Sequence, residues 1–202
     1  MTYDVLRGSI SRQLADASIA RFGRIDALVN SAFAHGAFPE PVDTADLDGG
    51  RAVFDTNVFG TMALTQEIVP HMKRQRRGAI VMITTQATRK PFAGEAGYAV
   101  SKGALAVAAK YLARELGVHG IRVNSIHMGW RWGVPTQGYF RQAATERGVP
   151  EAQIIAPIAS NLALARLPAD DDCAHAALFL ASDCANAVTG ATLDANGGDF
   201  MP

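Results

Sequence analysis

The 202-residue chain has zero formal net charge, and its composition is 49% hydrophobic and 19% charged residues. These proportions predict one globular domain with a sizeable core and argue against a long disordered tail. The densest basic run, residues 73–77, is explained by a solvated helix end that complements the helix dipole. Nucleic acid is therefore not an expected partner.

Cysteine content and hydropathy indicate where the protein works and what it binds. Cys173 and Cys184 are too few for a disulfide framework, and the sequence shows neither a signal peptide nor a long apolar span. We therefore expect a cytoplasmic protein with no membrane partner. Asp171, Asp172, Cys173 and His175 could suggest a metal site, but acidic residues in the first turn of a helix beside a small core cysteine explain them better. We predict no metal.

Predicted elements alternate between helix and strand along the chain. Helices are predicted at residues 9–22, 51–72, 95–116 and 170–181, and strands at 25–30, 78–85, 120–127 and 191–196. Residues 31–47 are predicted to be a loop, and residues 129–168 an irregular substrate lid within a single domain, 1–202. This alternation predicts an α/β fold with a parallel sheet and right-handed crossovers.

Residues 78–102 carry the densest candidate chemistry. The apolar run at 80–83 predicts a strand buried on both faces, and it ends in Thr84 and Thr85, where a parallel strand opens onto a ligand crevice. Tyr98 and Lys102 are four residues apart on the next predicted helix, so they share one face. A cation beside the phenol should lower the pKa of Tyr98 from its ordinary value near 10. Tyr98 is therefore a candidate general acid/base.

Further matches extend this pattern over nearly the whole chain. Asn57 lies inside a predicted apolar helix, and Asn30 closes the strand at 25–30. These residues, and the order in which the matching segments follow one another, resemble the compact oxidoreductase branch of the short-chain dehydrogenase/reductase family. The matching segments are residues 22–32 (FGRIDALVNSA), 57–60 (NVFG), 98–102 (YAVSK), 121–126 (IRVNSI), 179–183 (FLASD) and 189–190 (TG).

The resemblance implies hydride transfer between NAD or NADP and a small alcohol or ketone. It implies that Tyr98 transfers the proton, that Lys102 lowers the phenol's pKa and contacts the nicotinamide ribose, and that Asn57 holds a water linking Lys102 to solvent. It also implies that Thr85, where the family usually has Ser, donates to the substrate oxygen. The hydroxyl is kept, although β-branching adds a methyl group and stiffens χ1.

The resemblance also implies a set of cofactor contacts. Asp4 and Val5 match a pair that contacts adenine, and the strand ending at Asn30 leads to Ala32 at the crevice. Met128 and Gly129 stand where the family usually has Pro-Gly, and Arg131 and Gly133 replace an aliphatic residue and a Thr that touch the nicotinamide amide. The implied cofactor-binding residues are Asp4, Val5, Asn30, Ala32, Tyr98, Lys102, Gly129 and Arg131.

The implied fold is a Rossmann-type doubly wound parallel sheet, but this sequence lacks the first βαβαβ part with its Gly-rich turn. That part would correspond to roughly fifty residues before Met1, and it normally holds the pyrophosphate at a helix N-terminus. We therefore expect weak dinucleotide binding and an unpaired edge on the strand at 25–30. A fragment, a late start assignment and a real loss of catalysis are all consistent with this pattern.

Aromatic and apolar side chains suggest two kinds of partner. Trp130, Trp132, Tyr139 and Phe140 suit an apolar, ring-containing substrate, and packing of the lid or a subunit interface would explain them equally well. His127 is expected to be a core histidine. The long helix 95–116 is apolar nearly all round, and the resemblance implies a homodimer or homotetramer formed through such helices. An alternative function is a non-catalytic interaction subunit that joins full-length relatives.

Overall fold

The computed structural model describes residues 8–201 and contains a parallel sheet of four strands with helices on both faces. The strands are β1 (Ala27–Asn30), β2 (Gly78–Thr85), β3 (Ile121–Met128) and β4 (Thr192–Ala195). The first four helices are α1 (Gly8–Phe22), α2 (Leu47–Phe54), α3 (Thr61–Gln75) and α4 (Ala96–Leu116). They are followed by α5 (Val134–Arg147), α6 (Glu151–Asn161) and α7 (Asp170–Ala181).

The sheet order is β1-β2-β3-β4, with every neighbouring pair parallel. Alternating residues of β2 point to opposite faces, so Ile80 and Met82 pack with α3 and α4 while Val81 packs with α7. Burial on both faces explains why β2 reads as a continuous apolar run. The α/β class and the parallel sheet predicted from the sequence are confirmed.

β1 forms one edge of the sheet in the part of the chain that the structure describes. It pairs with β2 alone there, and the side chain of Val29 is 44% exposed. The predicted open edge is therefore present within residues 8–201. Asp4 and Val5 lie outside the described residues.

The predicted lid was wrong in one respect, because residues 129–168 contain two regular helices, α5 and α6, rather than irregular chain. Pro135 fits the first turn of α5, where a missing N–H costs nothing, and Gly148 ends that helix with a positive φ of 64°. Pro150 then precedes the first residue of α6. Glycine and proline here mark the ends of helices.

The predicted helix at 51–72 is also more complex than expected. The helical stretch runs from Leu47 to Gln75, with a wider π-helical turn at Asp55–Gly60 between α2 and α3. Such π-turns are often found at functional sites, and this one contains Asn57. Across the described residues, no helix is both long enough and apolar enough to cross a membrane.

Candidate active site

A cavity of about 730 Å³ lies at the carboxyl ends of β2 and β3, where parallel α/β sheets bind ligands. Its floor is formed by residues at and after those strand ends, including Thr85 and Gly129. The loop after β1, the start of α4 and the helices α5 and α6 form its walls. Aromatic and aliphatic side chains predominate, which is typical of a small-molecule site. The aromatic lining residues are Phe33, Phe38, Phe92, Tyr98, Trp130 and Tyr139.

Tyr98 lies in the first turn of α4 and faces this cavity. Burial raises the pKa of Tyr98 to about 12, and the negative charge of Glu95 acts in the same direction. Arg131 and a side-chain hydrogen bond with Thr85 partly offset this increase in pKa. The pKa therefore moves in the opposite direction to the one predicted from Lys102, because loss of hydration outweighs the effect of nearby cations. Tyr98 is a protonated phenol at neutral pH.

Thr85 is the last residue of β2 and lines the same cavity. Its Oγ1 accepts a 3.2 Å hydrogen bond from the backbone N–H of Ala87, which caps the short 3₁₀ turn that follows the strand. Because that bond uses a lone pair, the hydroxyl proton stays available for donation. Thr85 can therefore serve as the hydrogen-bond donor that the resemblance implies.

Lys102 lies one turn after Tyr98 on α4, with 1% of its surface exposed. Its Nζ donates a 2.9 Å hydrogen bond to the carbonyl oxygen of Ile83 on β2. Burial lowers the pKa of Lys102 to about 8. Tyr98 and Lys102 both lie on α4, but Lys102 lies behind the cavity wall rather than among the residues that line it.

Asn57 is fully buried in the π-helical turn and joins two segments next to the cavity. Its Oδ1 accepts from the N–H of Ala34 at 2.7 Å, and its Nδ2 donates to the carbonyl of Ala34 at 2.9 Å. The same Nδ2 donates to Ser101 Oγ at 2.9 Å, and Ser101 directly precedes Lys102. Asn57 thus ties the loop after β1 to the helix that carries Tyr98 and Lys102.

The predicted cofactor-binding residues divide into two groups in the described structure. Gly129 and Arg131 line the cavity with Tyr98, and Ala32 is exposed at the carboxyl end of β1. Asn30 is buried, and its Nδ2 donates to Thr65 Oγ1 at 3.2 Å. The side chain of Asn30 therefore links β1 to α3 within the fold.

Among the polar cavity residues that the sequence analysis missed, His35 and Glu95 lie beside Tyr98. The ring of His35 stacks on the ring of Tyr98, with 4.7 Å between centroids and 25° between planes. His35 Nε2 lies 3.4 Å from Glu95 Oε1, and Glu95 precedes Tyr98 by one helical turn. The spacing of Glu95 could have revealed its proximity, whereas His35 belongs to a loop with no periodic signal.

The four aromatic residues predicted near the lid separate into two roles. Trp130 and Tyr139 line the cavity, with ring centroids 5.8 Å apart. Phe140 is fully buried under the lid, where it stacks on Trp130 and Trp132. Trp130 and Tyr139 lie where a ring-binding wall requires them, and Phe140 lies where packing of the lid requires it. Both interpretations that the sequence left open are therefore consistent with the structure.

Of the remaining histidine and cysteine candidates, His127 and Cys173 lie in the core and His175 is exposed on α7. His127 is 3% exposed, and its ring nitrogens lie 3.5 Å from Asp194 Oδ1 and 3.5 Å from Thr88 Oγ1. Burial lowers the pKa of His127. Cys173 is a buried core residue, as expected. Within residues 8–201, no group of three or more His, Cys, Asp or Glu side chains could hold a metal ion.

The chain is similar to known proteins over nearly its whole length. The family model described as enoyl-(acyl carrier protein) reductase matches residues 1–199. The 7alpha-hydroxysteroid dehydrogenase of Escherichia coli strain K12 is 34% identical over 185 residues, which cover 92% of this chain and 68% of that protein. That relative therefore extends over a longer chain than the 202 residues of this sequence.

Solved structures with the same fold include two sugar-alcohol enzymes. The NAD+-bound xylitol dehydrogenase superposes with a TM-score of 0.87 at 26% identity, covering 98% of this chain and 78% of that one. The sorbitol-6-phosphate 2-dehydrogenase of Erwinia amylovora gives a TM-score of 0.90 at 26% identity, covering 100% and 79%. These neighbours share the Rossmann-type architecture of the parallel sheet.

Proposed function

Because the chain belongs to the short-chain dehydrogenase/reductase family, we propose that it transfers a hydride between NAD or NADP and an alcohol or ketone, with Tyr98 as general acid/base. The observation that carries this proposal is the placement of Tyr98 and Thr85 together on the wall of one cavity, with Lys102 buried one helical turn behind them. The relatives named above are dehydrogenases, which gives no support to the alternative of a non-catalytic interaction subunit.

The cavity fits the nicotinamide end of a dinucleotide. It opens at the carboxyl ends of parallel strands, and Gly129 contributes bare backbone there: a Cβ at this position would lie 2.7 Å from Asn196 Cβ. In our proposal Ala32, Tyr98, Gly129 and Arg131 contact the dinucleotide, and Lys102 reaches its ribose. When bound, the dinucleotide supplies or accepts the hydride.

The protein's own part of the reaction is to move one proton. In ketone reduction Tyr98 Oη donates its proton to the carbonyl oxygen as negative charge develops there, and Thr85 donates a hydrogen bond to the same oxygen. The high pKa of Tyr98 keeps the phenol protonated and ready for this direction. Lys102, with its pKa of about 8, can return a proton toward the phenolate near neutral pH.

The proposed substrate is a small, largely apolar molecule that contains a ring. Phe33, Phe38, Phe92, Trp130 and Tyr139 supply flat apolar walls, and their neighbouring centroids are about 6 Å apart where they contact each other. Flat walls of this kind bind rings through burial and stacking. The related hydroxysteroid dehydrogenase is named for a substrate with fused rings, which is consistent with this proposal.

The test of this proposal is the Tyr98→Phe variant, which removes the phenolic proton and keeps the ring. We expect kcat/KM for ketone reduction to fall about 100- to 10,000-fold, the usual contribution of a general acid. Tyr111→Phe is the matched control, because Tyr111 lies on the same helix and is 67% exposed. Near-full activity of Tyr98→Phe, measured by NAD(P)H absorbance, would show that Tyr98 is not the acid.

We further propose that the protein works in the cytoplasm as a homodimer or homotetramer formed through its long helices. Phe59, Val100 and Val107 lie on the helical stretch from Asp55 onward and on α4, and they are 64%, 60% and 54% exposed. Apolar side chains this exposed favour a partner surface. Light scattering of the wild-type protein and of Val107→Asp tests the proposal, since only the variant should give the mass of a single chain.

A further inference from the structure

A guanidinium group is held in the cavity wall close to Tyr98. Arg131 follows β3, lines the cavity, and is near enough to lower the pKa of the phenol through its charge. Its Nε donates a 2.7 Å hydrogen bond to Asp170 Oδ1 at the start of α7. The Arg131 side chain keeps 29% of its surface exposed, so it is neither buried in the core nor free in solvent.

Several contacts fix the backbone that carries this guanidinium group. The N–H of Trp132 donates to the carbonyl of Pro168 at 2.7 Å, and Trp132 forms a parallel bridge with Ala169. Gly133 leaves the room that the Asp170 carboxylate occupies, because a Cβ there would approach Asp170 Oδ2 to 2.5 Å. The absence of a side chain at Gly133 and the two backbone contacts of Trp132 therefore keep Asp170 beside Arg131.

The ion pair with Asp170 uses only one edge of the guanidinium group. Within residues 8–201, Nε is the only Arg131 nitrogen that takes part in a hydrogen bond, so the N–H groups on Nη1 and Nη2 remain for a ligand. The nearby cavity cation Lys90 differs, because its Nζ lies 2.6 Å from Asp199 Oδ1 and also donates to the Asp199 carbonyl. A planar fork of N–H donors matches carboxylate and phosphate oxygens.

We propose that Arg131 forms an oxyanion-binding site in this cavity, held in place by Asp170 and Gly133, which takes a carboxylate or phosphate group. The oxyanion belongs either to the substrate, as a carboxylate near the reacting carbon, or to the pyrophosphate of the dinucleotide. This inference extends the proposed function by adding an anionic group to an otherwise apolar ligand. It does not depend on Tyr98 being the acid, so binding can be tested without turnover.

The chain provides its own optical probe for this site. Its two tryptophans, Trp130 and Trp132, flank Arg131, so tryptophan fluorescence, excited at a wavelength that tyrosine does not absorb, reports on this segment. The probes are cyclohexanecarboxylate, the neutral cyclohexanecarboxamide, and inorganic pyrophosphate. We expect saturable binding of at least one of the two anions and much weaker binding of the amide.

The decisive variant is Arg131→Leu, which keeps the aliphatic bulk and removes the charge. Anion affinity should fall about 10- to 100-fold, the range expected for hydrogen bonds to a charged group. Loss confined to cyclohexanecarboxylate would assign the oxyanion to the substrate, and loss confined to pyrophosphate would assign it to the dinucleotide. Affinities for all anions within about twofold of the wild type would overturn the proposal.

Two matched controls separate this role from general effects of charge and folding. Arg166→Leu removes another arginine, whose partner Asp172, at 3.1 Å, lies on the same helix as Asp170. Because Arg166 does not line the cavity, anion affinity should be unchanged in this variant.

Gly133→Ala should weaken anion binding severalfold because its Cβ displaces Asp170. Gly138→Ala, with no atom within 4 Å of the added Cβ, should not. The activity of Tyr98→Phe and the anion affinity of Arg131→Leu are measured separately, which keeps failure of the catalytic assignment distinct from failure of this one.

Discussion

The Nζ of Lys102 donates a 2.9 Å hydrogen bond to the carbonyl oxygen of Ile83, which anchors a buried cation to the central strand two residues before Thr85. The bond satisfies one donor of the ammonium group, but burial still disfavours the charge and lowers the pKa of Lys102 from 10.5 to about 8. Lys102 is thus suited to exchange a proton near neutral pH. A fixed cation with an ordinary pKa would not do so.

The lowered pKa of Lys102 predicts a specific dependence of stability on pH. Between pH 10.5 and 8 the unfolded chain holds a proton on this lysine that the folded protein does not, so the free energy of unfolding should fall as the pH decreases through this window. At about 1.4 kcal/mol per pKa unit, the loss amounts to roughly 3 kcal/mol and is complete near pH 8.

Lys102→Met keeps the length of the side chain and cannot titrate. Urea unfolding of both proteins across this pH range should show the wild type losing stability relative to the variant as the pH falls, while other titrating groups cancel in the comparison. A constant difference between the two proteins would show that the ammonium group is not destabilised by burial.

His127 predicts a second dependence, on the acidic side of neutrality. Burial lowers its pKa below 6.5, with Arg89 and Lys110 adding to the effect and Asp194 opposing it. As the pH falls below 6.5, the unfolded chain binds a proton on this histidine that the folded protein does not bind. The free energy of unfolding should therefore decrease. Stability above pH 6.5 should be independent of this group.

The measurement for His127 is the slope of unfolding free energy against pH below 6.5 in the wild type and in His127→Asn. The variant should show a shallower decrease, whatever its absolute stability. His175→Gln is the control for removing a histidine from the exposed surface of α7. An equal slope in His127→Asn and wild type would contradict the inferred shift.

The sequence predicted those parts of the fold that have strong periodic patterns. β2 was located to the residue because four consecutive apolar residues end in two threonines. α4 was located to within one residue because its apolar pattern continues over five turns. The helices α5 and α6 were missed because their hydrophobic residues cover only part of a face and both contain or follow proline. Packing of α5 against α6, through Phe140, Ala143, Ala144 and Ile154, supplies the rest of their stability.

The site was predicted as a set of residue types, whereas its electrostatics depended on tertiary packing. The spacing of Tyr98 and Lys102 fixed their shared face, but it carried no information about hydration. Whether burial or a neighbouring charge controls a pKa depends on how many other segments cover the group. The stacking of His35 on Tyr98 and the pairing of Arg131 with Asp170 join residues 63 and 39 positions apart, beyond the reach of local patterns.

Asn57 provides the last prediction, because its role in the fold can be separated from its proposed role in proton transfer. Its amide satisfies both backbone groups of Ala34 and also bonds Ser101, so Asn57→Ala leaves several polar groups without partners in a buried region. We expect a loss of about 2 to 4 kcal/mol in urea unfolding. Ser101→Ala removes one of these bonds and the bond that Ser101 Oγ donates to the carbonyl oxygen of Tyr98, and it should cost about 1 to 2 kcal/mol. A loss below about 0.5 kcal/mol for Asn57→Ala would mean that water replaces the amide easily and that Asn57 does not hold the loop after β1 in place.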